Sequence, residues 1–208
     1  MIEAPNLFAL PPGVDFPDEL VTGLLDRFGG SAPEDMARVT LILNTQRMRE
    51  RVKAQFQARG ARFLPRLLLV TEVDRLTALP PPPPAQPLRR RLELAQLLDG
   101  LLQTGITDFP RAALFDLAES LASLMEEMQG EGITPDRIAA LDVAEHSGHW
   151  ARTQAFLGIV AEALKGDAPD AEGRLRRLVL DLTEGWATAP PKGPVIVAGS
   201  TGSRGTTA

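Results

Sequence analysis

Small polar residues near the carboxyl end of the chain have the composition of an anion-binding loop. The stretch Gly199-Ser200-Thr201-Gly202-Ser203 combines two glycines with three hydroxyl side chains, and Arg204 follows it. Such a loop lets successive backbone N–H groups surround an anion. It differs from a P-loop, because no Gly-Lys-Ser/Thr sequence occurs. The pattern therefore predicts either a phosphate- or DNA-contacting loop or an ordinary turn.

A second group of polar residues follows an apolar run at residues 38–43. Asn44 and Thr45 come directly after that run, and Arg47 and Arg51 lie four residues apart, so they share one face of a predicted helix. The N-terminus of a helix presents N–H groups that favour phosphate. The sequence predicts that Asn44, Thr45, Arg47 and Arg51 contact DNA. The alternative is a solvated basic helix.

The other candidates for catalysis or metal binding are weaker. The turn at residues 11–15 has one glycine and no lysine, and Asp15 would repel phosphate, so we expect Asp15 to cap a helix. His146 and His149, beside Trp150, do not have the spacing of a standard zinc motif, which favours packing or capping. The chain has no cysteine and therefore no thiolate ligand. We assign no catalytic residue, metal site or cofactor to this chain itself.

Composition and charge describe a folded protein with an uneven charge distribution. The chain has 208 residues, is 44% hydrophobic and carries a formal charge of −5. It has neither a signal-peptide pattern nor an apolar run near the ~20 residues that a membrane span needs, so we expect a cytoplasmic location. Residues 1–37 carry seven acidic side chains and one arginine, whereas residues 38–75 carry nine basic side chains and three acidic ones. That local excess predicts either phosphate contacts or a solvated helix face.

Strand and helix patterns alternate over the first 75 residues. Apolar runs predict strands at 6–10, 38–43 and 63–70, and helical periodicity predicts a helix between each pair. This alternation is typical of a parallel sheet with right-handed crossovers. Pro194 to Ala198 reads as a further strand, buried on both faces of that sheet. Because a parallel strand needs a crossover and neighbours, we expect the chain to be the front portion of a longer protein.

The middle of the chain has a different character. Pro80 to Pro84, with Pro87, predicts a stiff extended connector, and an SH3-type ligand is the alternative. Leucine stripes at helical spacing then predict helices across 88–189. The side chains that we expect to be buried there are Leu117, Leu121, Leu124, Leu178 and Leu182.

The predicted fold class is α/β, with a partial P-loop-NTPase-like (superfamily 1 helicase-like) parallel sheet and a large all-helical insertion. Four parts follow from the patterns. Residues 1–79 are the first part of the core and 80–87 are the connector. Residues 88–189 are the helical insertion, and 190–208 are the return strand and loop of a truncated core.

Several strings of sequence together resemble the N-terminal portion of AddB, a subunit of AddAB-type helicase–nucleases, in its alphaproteobacterial form. Their order and spacing match along the whole chain, and the last is the most specific. The strings are residues 7–16, residues 38–47, Pro87-Leu88-Arg89-Arg90-Arg91, the His149-Trp150 pair and residues 195–203.

The resemblance implies a function in DNA double-strand-break repair. It implies a helicase-like amino end, often with a degenerate motor site, in which the segment matching Asn44-Thr45-Gln46-Arg47 touches single-stranded DNA. The implied partners are single-stranded or duplex-end DNA and an AddA-type helicase subunit, which would form a heterodimer with this chain and hold ATP and Mg²⁺. A nuclease domain with an iron–sulfur cluster belongs to the carboxyl end of such proteins, and its motif and cysteines do not occur in these 208 residues.

Two other functional interpretations remain open. One is a nucleotide-dependent enzyme that holds phosphate with the Gly199–Ser203 loop, and the other is a purely structural interaction module. The missing P-loop lysine predicts poor nucleotide affinity. We expect that this chain alone neither hydrolyses ATP nor cuts DNA.

Overall fold

A computed structural model describes residues 7–30, 32–60, 62–104, 109–140, 157–158, 160–162, 165–166 and 168–200. Within these residues the chain is mixed α/β and mostly helical, with a small parallel sheet of three strands. The chain divides into two compact units. The described residues of the first unit fall within 1–78 and 183–201, and those of the second within 79–182.

The first unit contains all three strands and the helices that follow or precede them. Its elements are α1 (Phe16–Phe28), α2 (Pro33–Arg38), β1 (Thr40–Leu43), α3 (Gln46–Ala58), β2 (Arg66–Leu69), a 3-10 helix (Val70–Leu76) and β3 (Val195–Ala198).

Most of the remaining helices belong to the second unit. They are α4 (Pro87–Gln103), a short 3-10 turn (Arg111–Ala113), α5 (Leu114–Glu131), α6 (Pro135–Ala139) and α7 (Ala171–Thr188), whose last turns lie in the first unit. Among the described helices, none combines the length and the apolar character that crossing a bilayer requires.

The sheet has the order β2-β1-β3, and both pairs of strands are parallel. Leu41 of β1 stands opposite Leu67 of β2 and Ile196 of β3. The predicted strands at 38–43, 63–70 and 194–198 are thus confirmed with narrower bounds, and so is their parallel arrangement. Leu41, Ile42 and Leu43 of the central strand β1 are all buried.

The first unit has its core on one face of this sheet. Helices α1 and α3 cover that face with Val21, Leu24, Val52 and Phe56, all buried against β1. Leu41, Leu43 and Ala198 point into the same core, because alternate residues of a strand share a face. Helix α3 begins where the sequence predicts it, since the Thr45 side chain accepts a hydrogen bond of 3.2 Å from the Met48 N–H.

The prediction that the last strand is buried on both faces is wrong. Within the described part of the chain, strand β3 pairs with β1 alone and lies at the edge of the sheet, and the side chain of Val197 is 57% exposed. Val197 pairs with Ile42 and therefore points away from the face that α1 and α3 cover. A strand inside the sheet would have a second neighbour, which the described residues do not supply.

The predicted first strand, at residues 6–10, is also absent from the described residues. Residues 7–10 form no regular structure there, and Leu7 and Phe8 are 92% and 72% exposed. Asn6 lies outside the described residues. Apolar sequence alone does not make a strand, because the backbone must also pair with a neighbouring strand.

The second unit is built on the packing of α4 against α5. Its core contains Leu94, Leu98, Leu114, Ala118 and Leu121, with Val160 from a short helical stretch. Leu121 and Leu178 are buried as predicted.

Three of the side chains predicted to be buried in the second unit are not. Leu117 and Leu124 are 38% and 40% exposed, and Leu182 is half-buried. The buried residues of α5 are Leu114, Ala118, Leu121 and Gly130. The first three are spaced as one face of a helix, and that face is rotated away from the predicted one. Leu117 and Leu124 lie on the flank of that face.

The proline-rich connector is attached to the second unit by its backbone carbonyls. Arg174 of α7 donates to the carbonyl oxygens of Pro82 and Pro81 at 2.9 and 3.2 Å. The Ala85 N–H donates to the Pro169 carbonyl at 2.9 Å. Pro87 then begins α4, where a missing N–H has no cost.

A buried ion pair lies next to this connector. Arg90 of α4 is 4% exposed and contacts the carboxylate of Asp170, with 3.1 Å between Nε and Oδ1. Asp170 also accepts from the Gln129 amide at 3.0 Å, and Arg90 donates to the Ala168 carbonyl at 2.8 Å. Both charges are therefore hydrogen-bonded, as buried charges must be.

Candidate nucleic-acid interface

The polar residues that follow β1 and β3 meet at one edge of the sheet, because parallel strands all end at the same edge. Asn44 follows β1 and Gly199 follows β3. The Asn44 side-chain amide donates to the Gly199 carbonyl oxygen at 2.7 Å. Gly199 has a φ of 74°, in the left-handed region that favours glycine, and it turns the chain at the end of β3. The structure thus brings together two polar stretches that are far apart in the sequence.

Helix α3 starts at this edge, and the arginine of its first turn faces solvent. Thr45 is the N-cap of α3, and Arg47 lies in the first turn and is exposed. Arg47 has no ion pair with any residue that the structure describes. The first turn of a helix carries a partial positive charge. Arg47 and the helix terminus therefore provide two adjacent sources of positive potential.

Arg51, which is predicted to contact DNA together with Arg47, forms an ion pair within the protein. Its guanidinium donates to both carboxylate oxygens of Asp15, at 2.8 and 2.9 Å. Asp15 stands at the N-cap position of α1, as predicted. Its side chain makes no capping hydrogen bond, and its backbone carbonyl accepts from the Asp18 and Glu19 N–H groups. A guanidinium–carboxylate contact is a charge-assisted bond and competes well with a cap.

Further ion pairs neutralise part of the basic segment. Arg59, the residue that follows α3, pairs with Asp18 of α1, and Arg38 pairs with Asp35 within α2. The acidic first 37 residues and the basic residues after them thus contact one another inside the first unit. Such partly exposed pairs stabilise the fold little, but they reduce the charge available to an anion.

Glu72 forms hydrogen bonds and ion pairs at the end of β2. The sequence analysis did not predict this role. Its carboxylate accepts from the Leu69 N–H at 3.0 Å and from Arg49 at 2.6 Å, and Arg75 lies 3.3 Å away. The bond from Leu69, together with the charges of Arg49 and Arg75, holds the pKa of Glu72 below its ordinary value of 4.5.

Glu72 thereby connects α3 to the end of the neighbouring strand, because Arg49 lies in the first turns of that helix. The position of Glu72 in the sequence is the signal that could have predicted its bond to the Leu69 N–H. It lies three residues after the N-cap Leu69, which is the spacing of a capping box.

Several predicted residues lie outside the described part of the chain. Ser200 is the last described residue of the small polar loop, so the phosphate role of Thr201, Gly202 and Ser203 stays a prediction. His146, His149 and Trp150 also lie outside it. Among the described residues no group of three side chains could hold a metal ion.

Comparison with protein-family models, curated proteins and solved structures finds no match to this chain. The geometry of the sheet edge is therefore the observation that bears on function. That edge has two linked polar loops, a capped helix N-terminus and one arginine without an ion-pair partner among the described residues. Such an arrangement has the chemistry of a weak anion-binding surface.

Proposed function

We propose that this chain is a helicase-like scaffold that contacts single-stranded DNA at the carboxyl edge of its parallel sheet. The observation that carries the proposal is the hydrogen bond between Asn44 and Gly199. It holds two polar loops side by side where Arg47 faces solvent. Ligands of open α/β sheets bind at this edge.

The expected DNA contact is weak and independent of sequence. Of the predicted contact residues, Arg47 has no ion-pair partner in the part of the chain that the structure describes, whereas Arg51 shares its charge with Asp15. Phe56, the aromatic residue of α3, is fully buried in the core and cannot stack on a base. Without stacking or base-edge contacts, only the phosphate backbone is recognised.

The resemblance to AddB supports the biological setting of this proposal. Under it the chain acts in double-strand-break repair in the cytoplasm, as part of a heterodimer with an AddA-type helicase subunit. ATP and Mg²⁺ belong to that partner, and the iron–sulfur cluster and nuclease belong to the carboxyl end of AddB. We further propose that the three parallel strands, with α1 and α3 on one face, are part of a P-loop-NTPase-like core.

The test is a titration of a fluorescent oligothymidylate at several salt concentrations. We expect Arg47→Ala to weaken binding and to lower the slope of log K against log salt by about 0.7, the loss of one single-strand phosphate contact. Arg38→Ala is the matched control, because Arg38 precedes β1 and lies at the opposite end of that strand. It should leave both affinity and slope unchanged.

A gain-of-binding variant tests the role of Asp15. Asp15→Asn removes the carboxylate that engages Arg51, so we expect tighter binding and a slope larger by about 0.7. If wild type, Arg47→Ala and Asp15→Asn bind DNA with equal affinity, the carboxyl edge of the sheet does not bind DNA. That result would favour the purely structural interaction module.

The nucleotide-dependent alternative makes a different prediction. It requires phosphate to bind the loop that starts at Gly199, whose carbonyl already accepts from Asn44. ATP turnover by the pure chain that is lost in Ser200→Ala would favour this alternative over a scaffold without motor activity. We expect no turnover, since the chain lacks a P-loop lysine.

A further inference from the structure

One carboxylate near the end of β2 lies between two arginines. The Glu72 carboxylate is 2.6 Å from a guanidinium nitrogen of Arg49 and 3.3 Å from one of Arg75. It also accepts the Leu69 N–H at 3.0 Å. Two positive charges thus face one negative charge. The triad of Arg49, Glu72 and Arg75 therefore carries an excess of one positive charge.

The two arginines share Glu72 unequally. Its Oε2 atom accepts from Arg49 and from the Leu69 N–H, whereas its Oε1 atom faces Arg75. The contact of 3.3 Å with Arg75 is longer than a charge-assisted hydrogen bond of about 2.7–2.9 Å. The Arg49 side chain is 24% exposed and that of Arg75 is 59% exposed. The excess charge of the triad is therefore presented to solvent by Arg75.

This triad lies at the carboxyl edge of the sheet. Leu69 is the last residue of β2, and parallel strands end at the same edge. Arg49 lies in the first turns of α3, as Arg47 does. Arg75 belongs to the 3-10 helix that follows β2, and its contact with Glu72 brings its guanidinium back to the end of that strand. The edge thus has exposed arginines beside two neighbouring strands.

We propose that the guanidinium of Arg75 binds a second phosphate of the single strand that Arg47 contacts. This inference rests on the proposed function and adds a contact to the same edge. Neighbouring strands of a sheet lie about 4.8 Å apart, so one extended nucleic-acid backbone can pass the ends of both β1 and β2. A planar guanidinium with several N–H donors suits a phosphate group. The nearby carboxylate of Glu72 opposes this contact and keeps it weak.

The salt dependence of oligothymidylate binding tests this contact. We expect Arg75→Gln to lower the slope of log K against log salt by about 0.7, and Glu72→Gln to raise it by about 0.7. Arg75→Lys should retain the wild-type slope, because it retains the charge. Arg38→Ala is the matched control, since Arg38 is also exposed and paired with one carboxylate but lies at the opposite end of β1.

Comparison with Arg47 separates this inference from the proposed function. The double variant Arg47→Ala with Arg75→Gln should lose about 1.4 from the slope, because two phosphate contacts are removed. A lower slope for Arg47→Ala with an unchanged slope for Arg75→Gln would overturn the inference and leave the edge as the DNA site. Unchanged slopes for both single variants would show that the proposed function itself is wrong. Equal losses for Arg75→Lys and Arg75→Gln would assign Arg75 a structural role and would also overturn the inference.

Discussion

The amide of Asn44 donates a hydrogen bond of 2.7 Å to the carbonyl of Gly199, although the two residues are 155 positions apart in the sequence. Residues 79–182, within which the described residues of the second unit fall, lie between them in the chain. The bond therefore ties the end of β1 to the end of β3 across that insertion. It gives the polar edge of the sheet a defined geometry.

Loss of this bond should weaken the first unit. We expect Asn44→Ala to lower the free energy of unfolding by about 0.5–1.5 kcal/mol, the net contribution of one hydrogen bond. Gln57→Ala is the control, because Gln57 is an exposed amide of α3 whose side chain makes no hydrogen bond to the described residues. Urea denaturation of both variants measures the difference, and equal stabilities would contradict the prediction.

The turn at Gly199 should tolerate other residues poorly. A β-carbon there would meet Asn44 and Phe16 at 3.6 Å, which is ordinary contact, so only the positive φ opposes substitution. We expect Gly199→Ala to cost about 1–2 kcal/mol. Gly199→Asn should cost less, since asparagine adopts this conformation more readily. Thermal unfolding measures both, and the reverse order would show that space, not backbone conformation, limits this position.

The depressed pKa of Glu72 predicts a specific dependence of stability on pH. A carboxyl with a lower pKa in the folded state stabilises that state fully above its unfolded value, near 4.5, and loses the effect as the pH falls through the folded value. Glu72→Gln should therefore be less stable than wild type at pH 7. The difference should shrink steadily below pH 4.5. Urea midpoints between pH 7 and pH 3 test this, and a constant difference would contradict it.

Two leucines of α5 form a matched pair for testing the second core. Leu121 is buried in the cluster with Leu94 and Leu98, whereas Leu117, one turn earlier, is partly exposed. We expect Leu121→Ala to cost about 2–5 kcal/mol and Leu117→Ala about 1 kcal/mol or less. Denaturant unfolding followed by circular dichroism compares them. Similar losses of free energy of unfolding for the two variants would contradict the finding that α5 turns Leu121, and not Leu117, into the core.

The buried ion pair of the second unit should show strong coupling. We expect Asp170→Ala to cost up to about 3–5 kcal/mol, because it removes the hydrogen-bonded carboxylate of the buried Arg90 and leaves Glu93, at 3.5 Å, as the carboxylate beside it. The double variant Arg90→Met with Asp170→Ala should be more stable than Asp170→Ala alone, since the buried guanidinium that has lost its contact with Asp170 is removed. A double-mutant cycle measures the coupling, and additive losses would contradict it.

The three strands, α1 and α3 of the first unit were predictable because their signals are local, whereas the apolar run at 7–10 forms no strand and α2 was not predicted. The apolar run before Asn44 forms β1, the hydroxyl of Thr45 caps α3, and the apolar residues at 195–198 form a parallel strand. Each of these features depends on the intrinsic preferences of neighbouring residues or on a hydrogen bond within one turn. Such signals do not require knowledge of what the element packs against.

Tertiary structure alone decided the charge pattern and the exposure of the elements. The carboxylate of Asp15 could accept hydrogen bonds either from the N–H groups at the start of α1 or from an arginine. The packing of α1 on α3 brings Arg51 within reach of it. Likewise, apolar composition puts β3 in a sheet but does not say whether it has one neighbour or two. Leu117 and Leu121 have equal hydrophobicity, and the position of α4 selects which one is buried. These outcomes depend on contacts between residues distant in sequence, which local patterns do not encode.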